Sequence, residues 1–271
     1  MNFENKFGMH RLLDAEDNFE SSMGGSFPGE RAVFRGRDVF GDFKNWSWIR
    51  MLFFCVVGRE PTVEAEKFLN GLYCMCFNYA DPRIWNNRVA ALAASASSTA
   101  QLGVCSASAV SEAVIYGGPP VSQALKFLIS AKCKYDSGES LKNIIEIELE
   151  KNGVVFGFGR PINKIDERIK PALDLLKELN LFDRSYVQFA VKIQEVLLSS
   201  RNQIGFNIGG VMAAFCADED LSATELYQLM IVCFYVGQLA CYIESDSKPT
   251  GSFLPLRCSR VTYEGVGMRK W

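Results

Sequence analysis

Apolar residues recur along most of this chain with a spacing of three to four. In ESLKNIIEIELEKN (139–152), Leu141, Ile144, Ile145 and Leu149 fall on one helical face, and Gly153 follows as a C-terminal stop. The same pattern predicts helices over 46–57, 63–79, 84–113, 120–133, 164–180 and 184–200. SATE (222–225) is a capping-box pattern, with Ser222 three residues before Glu225, and it opens a further helix. Strand-like alternation is confined to RAVFRGRDVF (31–40), which reads as a short hairpin. The fold class expected is all-α with a minor β-hairpin near the N-terminus.

Two stretches need a separate argument. LYQLMIVCFYVGQLACYI (226–243) carries no charge over a length close to that of a bilayer core. Gln228, Gly237 and Gln238 interrupt it, and its flanks, Glu225, Glu244 and Asp246, are acidic rather than basic. A helix apolar all round is also what the centre of a large helical protein needs, so a buried helix is predicted. Between Ala91 and Ala113 stand eight alanines and six serines, a composition that lets helices approach closely in a core or at a subunit interface.

A 271-residue chain that is 48% hydrophobic can bury a large core, as one domain or two unequal lobes. Its net charge of −2 gives no general basic surface for nucleic acid or an anionic membrane, so any anion site is local. The nine cysteines are scattered, with no C-x-x-C pair and most within apolar runs, and read as small core residues. With no secretory signal at the N-terminus, a cytoplasmic location is expected. No metal is expected either: the sole histidine, His10, sits in a polar leader, and Cys74 and Cys76 form an isolated C-x-C.

Several stretches, in order, resemble the citrate synthase superfamily, and more closely its short members, the citryl-CoA lyases and the C-terminal citrate synthase-like module of ATP-citrate lyase. AVFRGRDVFGDFKNWSWIRMLFFCVVGREPTVEAEKFLNGL (32–72) resembles the opening YRGYDI…FEEVAYLLLYGELPT, and GFGRPINKIDER (157–168) resembles GFGHPVYKxxDPR. FNIGGVMAAF (206–215) resembles LNVDGxIAAx, VGQLACYIE (236–244) resembles xGxLAHxxE, and the tail RCSRVTYEGVGMRKW (257–271) resembles RP…YxGxxxR. The resemblance implies a citrate synthase-like domain over 31–271 after a leader at 1–30, with the smaller lobe at about 120–205. It also implies a homodimer and a pocket for a coenzyme A thioester beside a di- or tricarboxylate.

The departures fall on the chemistry. The family's aspartate, which removes the thioester α-proton, aligns with Gly209, and the GFGH histidine aligns with Arg160. The histidines of ADHG and HGG align with Pro82 and Tyr116, and the late AH histidine aligns with Cys241. A positioned acid or base contributes on the order of 10²–10⁴-fold each, so the usual condensation should be lost. What survives is a binding framework. The resemblance assigns substrate contacts to Arg168, Asn207, Arg257, Arg260 and Arg269, and cofactor contacts to Gly157, Phe158 and Gly159. The ordinary alternatives are surface ion pairs for the arginines and a turn for the glycines.

Two functions are therefore expected, and a third is set behind them. The first is a diverged enzyme that forms or cleaves a carbon–carbon bond, of the citrate synthase or citryl-CoA lyase type, with altered groups. In it Arg160 and Arg168 bind carboxylates and stabilise enolate charge, Tyr116 moves a proton, and Asp81 is the candidate base. The second is a catalytically inactive homologue that binds a metabolite or a protein partner. The third is ordinary citrate synthase or citryl-CoA lyase turnover through unexpected residues.

Overall fold

The computed structural model describes residues 13–17, 19–160, 166–199, 203–267 and 269. His10 and the first residues of the helix predicted from 164 lie outside the described residues. The chain forms two compact units, Met1–Glu60 and Pro61–Trp271.

In the first unit β1 (Gly24–Phe27), β2 (Arg31–Phe34) and β3 (Arg37–Asp38) form an antiparallel meander in sequence order. The β2–β3 turn places Arg35 and Gly36 both at positive φ, 47° and 78°, the condition for a two-residue hairpin loop. Arg35 is held in that conformation because its Nε and Nη2 donate to the Cys55 carbonyl at 3.1 and 2.9 Å. The predicted hairpin is present, but β1 lies inside the segment read as a leader. Its sequence, Gly-Gly-Ser-Phe, has little strand propensity of its own, and pairing with β2 supplies the order. After α1 (Val39–Asp42), α2 (Trp48–Val57) brings Phe54 into a cluster with Phe34, Phe43 and Trp46, at ring separations of 5.4–6.0 Å from Phe54. Arg37 and Arg50 lie over Trp46 and both pair with Glu60. The hydrogen bond from Arg50 is the main reason the Glu60 carboxyl is held below its ordinary pKa.

The second unit is helical. It runs through α3 (Val63–Leu72), a π-helical turn (Tyr73–Phe77), α4 (Trp85–Ser95), α5 (Ala100–Val110), α6 (Gly118–Asp136) and α7 (Leu141–Asn152). It continues through α8 (Ile169–Glu178), α9 (Ser185–Ser199), α10 (Ile208–Asp218), α11 (Ala223–Met230) and α12 (Tyr235–Asp246). The helix predicted over 84–113 is two helices. Ser97 takes a left-handed φ of 59°, and the Thr99 hydroxyl caps α5 by accepting from the Leu102 amide. The small residues explain the fold-back of α4 and α5 onto each other and onto α12. Ala90 and Ala107 are fully buried, and a Cβ on Gly103 would stand 2.9 Å from the Tyr242 ring.

The uncharged run also divides, into α11 and α12. The stretch Ala223–Asp246 is apolar and long enough to cross a membrane by length and composition, and half of its most apolar window is buried inside this unit. α11 packs on α6, and α12 packs on α4 and α5. The interrupting Gln238 is 1% exposed and is satisfied by Ser108 and Ser111 across the α5 interface.

Helix α10 was not predicted, because paired glycines open it and its surface is apolar on every side. Nine of its eleven residues are buried, and it packs against α6, α8 and α9. Asp218 at its end accepts the Tyr186 and Val187 amides at 2.8 and 2.9 Å and so satisfies the start of α9.

Both sequence-level stop and start signals act as expected. Gly153 closes α7 at φ 71°, and Ser222 and Glu225 form the reciprocal capping box of α11. Ser222→Ala should lower the unfolding free energy by about 1 kcal/mol in urea titration, with Ser222→Gly costing only a few tenths. Equal stability of Ser222→Ala and wild type would show that the cap contributes nothing.

Candidate functional site

Most of the residues assigned to binding converge on the N-terminus of α10. Gly157 and Gly159 take left-handed φ values of 89° and 78°, and this turns the Gly-Phe-Gly loop onto the segment before α10. The Gly159 amide donates to the Gly205 carbonyl at 2.8 Å, the Asn207 amide donates to the Gly157 carbonyl at 3.1 Å, and Phe158 stacks on Phe206 at 5.1 Å. No side chain fits between the two segments, since a Cβ on Gly210 would lie 2.2 Å from the Gly157 carbonyl oxygen. Asn207 uses both ends of its amide: Oδ1 caps α10 at the Gly210 amide (3.0 Å) and Nδ2 donates to the Gly159 carbonyl (2.8 Å). Its polar groups thus fix the loop.

The charged part of the site is built around Asp166, whose side chain is fully buried. It accepts from Arg168 Nε and Nη2 at 2.7 and 2.8 Å, from the Arg168 amide at 3.2 Å and from the Ile208 amide at 3.0 Å. A carboxylate there also faces the positive end of the α10 dipole. Burial alone would raise its pKa. The Arg168 fork, the Arg168 charge and the Ile208 amide outweigh burial and hold the carboxyl below the usual aspartate value. Arg168 reaches on to the Cys76 carbonyl in the π-helical turn with Nη1 at 3.1 Å. Three of its five N–H donors are engaged among the described residues.

Arg160 stands beside this pair, with Nη1 2.6 Å from Glu167 Oε2 and 3.7 Å from Asp166 Oδ1. The residue in place of the motif histidine therefore pairs with the residue in place of the proline of DPR. A permanently charged fork at 160 is compensated within its own loop.

The other assigned residues make no hydrogen bond to this cluster among the described residues. Asp81 is clasped by Arg83 through Nε at 3.1 and 3.0 Å and Nη2 at 2.7 Å, which lowers its pKa. A carboxylate so held is a weak proton acceptor at neutral pH. Tyr116 stacks on Phe234 and meets Trp85 edge-on, and its hydroxyl is 3.4 Å from Asn86 Oδ1. Burial pushes its phenol well above the ordinary range, against the opposing charge of Arg168. Arg257, Arg260 and Arg269 are exposed in the C-terminal tail, and among the described residues none is hydrogen-bonded to the loop or to Arg168. Burial raises Cys76 to about 11 and also raises Cys241, so neither thiol is an activated nucleophile.

At Gly209, aligned with the family's aspartate, a Cβ would stand 3.0 Å from Val121 Cγ2 and 3.2 Å from Asn207 Oδ1. A side chain at 209 would need Val121 and Asn207 each to give way by a few tenths of an ångström. Two residues escaped sequence reasoning. Asp166 stands in the sequence as the aspartate of the DxR motif, in which the resemblance assigns a contact only to the arginine. The half-buried Tyr79 phenol, raised in pKa by burial and opposed by Arg168, carried no sequence signal at all. Among the described residues no group of three His, Cys, Asp or Glu side chains is placed to hold a metal ion.

Asp166→Asn leaves the Arg168 guanidinium without its buried counter-charge and should cost about 3 kcal/mol at neutral pH. The folded-state pKa lies below the unfolded value of about 3.9. The stabilisation is therefore fully present above that value and is lost as the pH falls through the depressed folded pKa. Urea-unfolding free energies of wild type and Asp166→Asn should converge on acidification. A constant gap from neutral to acid pH would contradict this role for Asp166.

No protein-family model matches the sequence, and no curated protein sequence matches it significantly. Solved structures do match. Citryl-CoA lyase from Hydrogenobacter thermophilus superposes with a TM-score of 0.80 at 19% identity, over 93% of this chain and 97% of that one. ATP citrate lyase from Methanothrix soehngenii, solved with citrate and coenzyme A, gives 0.72 at 15% identity over 96% of this chain, which spans 45% of that longer chain. Citrate synthase from Thermoplasma acidophilum, solved with carboxymethyl coenzyme A and oxaloacetate, gives 0.62 at 17% identity, over 83% of this chain and 58% of that one. At these identities the likeness is one of fold: the chain shares its helical fold with these three enzymes.

Proposed function

We propose that this protein binds a coenzyme A thioester, a carboxylate or both in a citrate synthase-like cleft, and that it is an inactive homologue with respect to the usual condensation. The observation that carries the reading is the Arg168 guanidinium, 19% exposed, fixed by Asp166 and the Cys76 carbonyl, with two donors uncommitted among the described residues. A guanidinium held in this way is pre-organised for a carboxylate. The loss of chemistry is supported by the absence of a carboxylate at Gly209, the half-buried Tyr116 phenol raised in pKa, and the Asp81–Arg83 pair. One observation favours the diverged enzyme instead. The half-buried Tyr79 phenol lies within electrostatic reach of Arg168 and Asp166 and, raised in pKa by burial, stays protonated as a hydrogen-bond donor.

The reading includes a smaller lobe at about 120–205, a cytoplasmic setting, supported by nine free cysteines, and a homodimer. The dimer is supported by α5, which has no charged residue and exposes Leu102 and Val110 at 61% and 39%. Exposed apolar faces of this kind mark association surfaces.

Thermal-shift measurements with CoA, acetyl-CoA, oxaloacetate and citrate test the binding. A ligand at about 100 times its dissociation constant should add roughly 2.7 kcal/mol, and the shift should vanish in Arg168→Lys, which keeps the charge and loses the fork. No free CoA should be released from acetyl-CoA and oxaloacetate. Turnover that disappears in Arg168→Lys would instead establish ordinary citrate synthase chemistry through unexpected residues, and the absence of any shift would remove the small-molecule reading. Wild type should sediment as a dimer and Leu102→Glu as a monomer; a monomeric wild type would dismiss the dimer.

A further inference from the structure

We propose that Glu167 sets the charge of the ligand this site accepts, so that a monocarboxylate is preferred over di- and tricarboxylates. The proposal rests on the carboxylate-binding reading above and deepens it.

Two guanidiniums and two carboxylates face one another here. Arg168 is matched by Asp166, and Arg160 by Glu167. The charges of these four groups cancel, so by themselves they offer a polyanion no net attraction.

The two carboxylates are not equivalent. Asp166 is fully buried and accepts from the Ile208 amide and from three Arg168 donors, and its removal would unseat the start of α10. The Glu167 side chain is 56% exposed and faces the guanidinium of Arg160, 28% exposed. Its pKa is lowered first by its own backbone amide and then by Arg160, so it is ionised at neutral pH. An exposed ion pair exchanges partners at little cost, and an incoming carboxylate can therefore take Arg160 from Glu167. The displaced Glu167 carboxylate is tethered next to Arg168 and stays close to the ligand. One ligand charge at Arg160 is then tolerated. Each further carboxylate meets Glu167 across a distance at which like charges repel appreciably. The sequence accords with this. The family motif has a histidine and a proline at these two places, and this chain has a cation and an anion that pair with each other.

Calorimetric titration of wild type, Glu167→Gln and Arg160→Gln/Glu167→Gln with pyruvate, oxaloacetate and citrate tests the proposal. Wild type should bind pyruvate more tightly than citrate. Glu167→Gln should gain about tenfold for citrate, equivalent to about 1.4 kcal/mol, with little change for pyruvate. The double variant should lose the gain, because the gain requires Arg160. The exposure of Glu167 makes Glu167→Gln a mild change to the fold, checked by an unaltered thermal midpoint in buffer. If citrate affinity is unchanged by Glu167→Gln, or rises equally for all three acids, the proposal is overturned while the binding reading stands. If no acid binds any variant, both are overturned.

Discussion

The buried Asp166 carboxylate is the group on which the rest of the site depends. It joins three parts of the chain that are distant in sequence: the Arg168 turn before α8, the start of α10, and, through Arg168, the π-helical turn after α3. A charge in that position is costly unless it is fully hydrogen-bonded. Here it accepts four hydrogen bonds, one of them from the Ile208 amide at the start of α10. The Gly157–Gly210 contact is the complementary steric constraint, since it brings the loop close enough for Asn207 to bind both. Stability and site geometry therefore share the same few residues. A substitution here perturbs both together.

The positions that depart from the family motifs are not simple vacancies. Tyr116 fills its place with an aromatic stack and a hydroxyl turned to Asn86, part of a polar network that continues through Ser111 and Gln238. Gly209 lies close against Val121, and Arg160 is compensated by Glu167. Each exchange has been accommodated by its neighbours. That is what physics requires of a buried or half-buried position once it no longer serves chemistry: polar groups are paired and space is filled.

Much of the fold was legible in the sequence, because helix periodicity and local stop and start signals act over a few residues. The Ser222–Glu225 box and the Gly153 stop need no tertiary information. What was missed depends on distant partners. Strand β1 exists by pairing with β2, α10 by burial on all sides, and the break at Ser97 by the packing of α4 and α5 on α12. The same division holds at the site. The glycine loop, Arg160, Arg168 and Asn207 were found from motif order and do converge. Asp81, Tyr116 and the tail arginines rest on alignment position alone; Asp81 and Tyr116 are hydrogen-bonded elsewhere, to Arg83 and Asn86, and the tail arginines are exposed. Glu167 gives no signal until its distance to Arg160 is known.

The π-helical turn at Tyr73–Phe77 adds one more consideration. A turn that holds an extra residue shifts the phase of everything after it by about 100° relative to a regular α-helix. At this site it is a backbone carbonyl, that of Cys76, that meets the guanidinium. The contribution of this segment to the site is therefore one of chain length rather than of residue type. A small apolar side chain in place of the Cys76 thiol leaves the acceptor where it is. The gain or loss of one residue between Leu72 and Asn78 rotates the carbonyl away from Arg168, and it also moves Asn78, whose side-chain oxygen accepts the Val236 and Gly237 amides at the start of α12. In this chain an alignment gap of a single position would mean more than any substitution beside it.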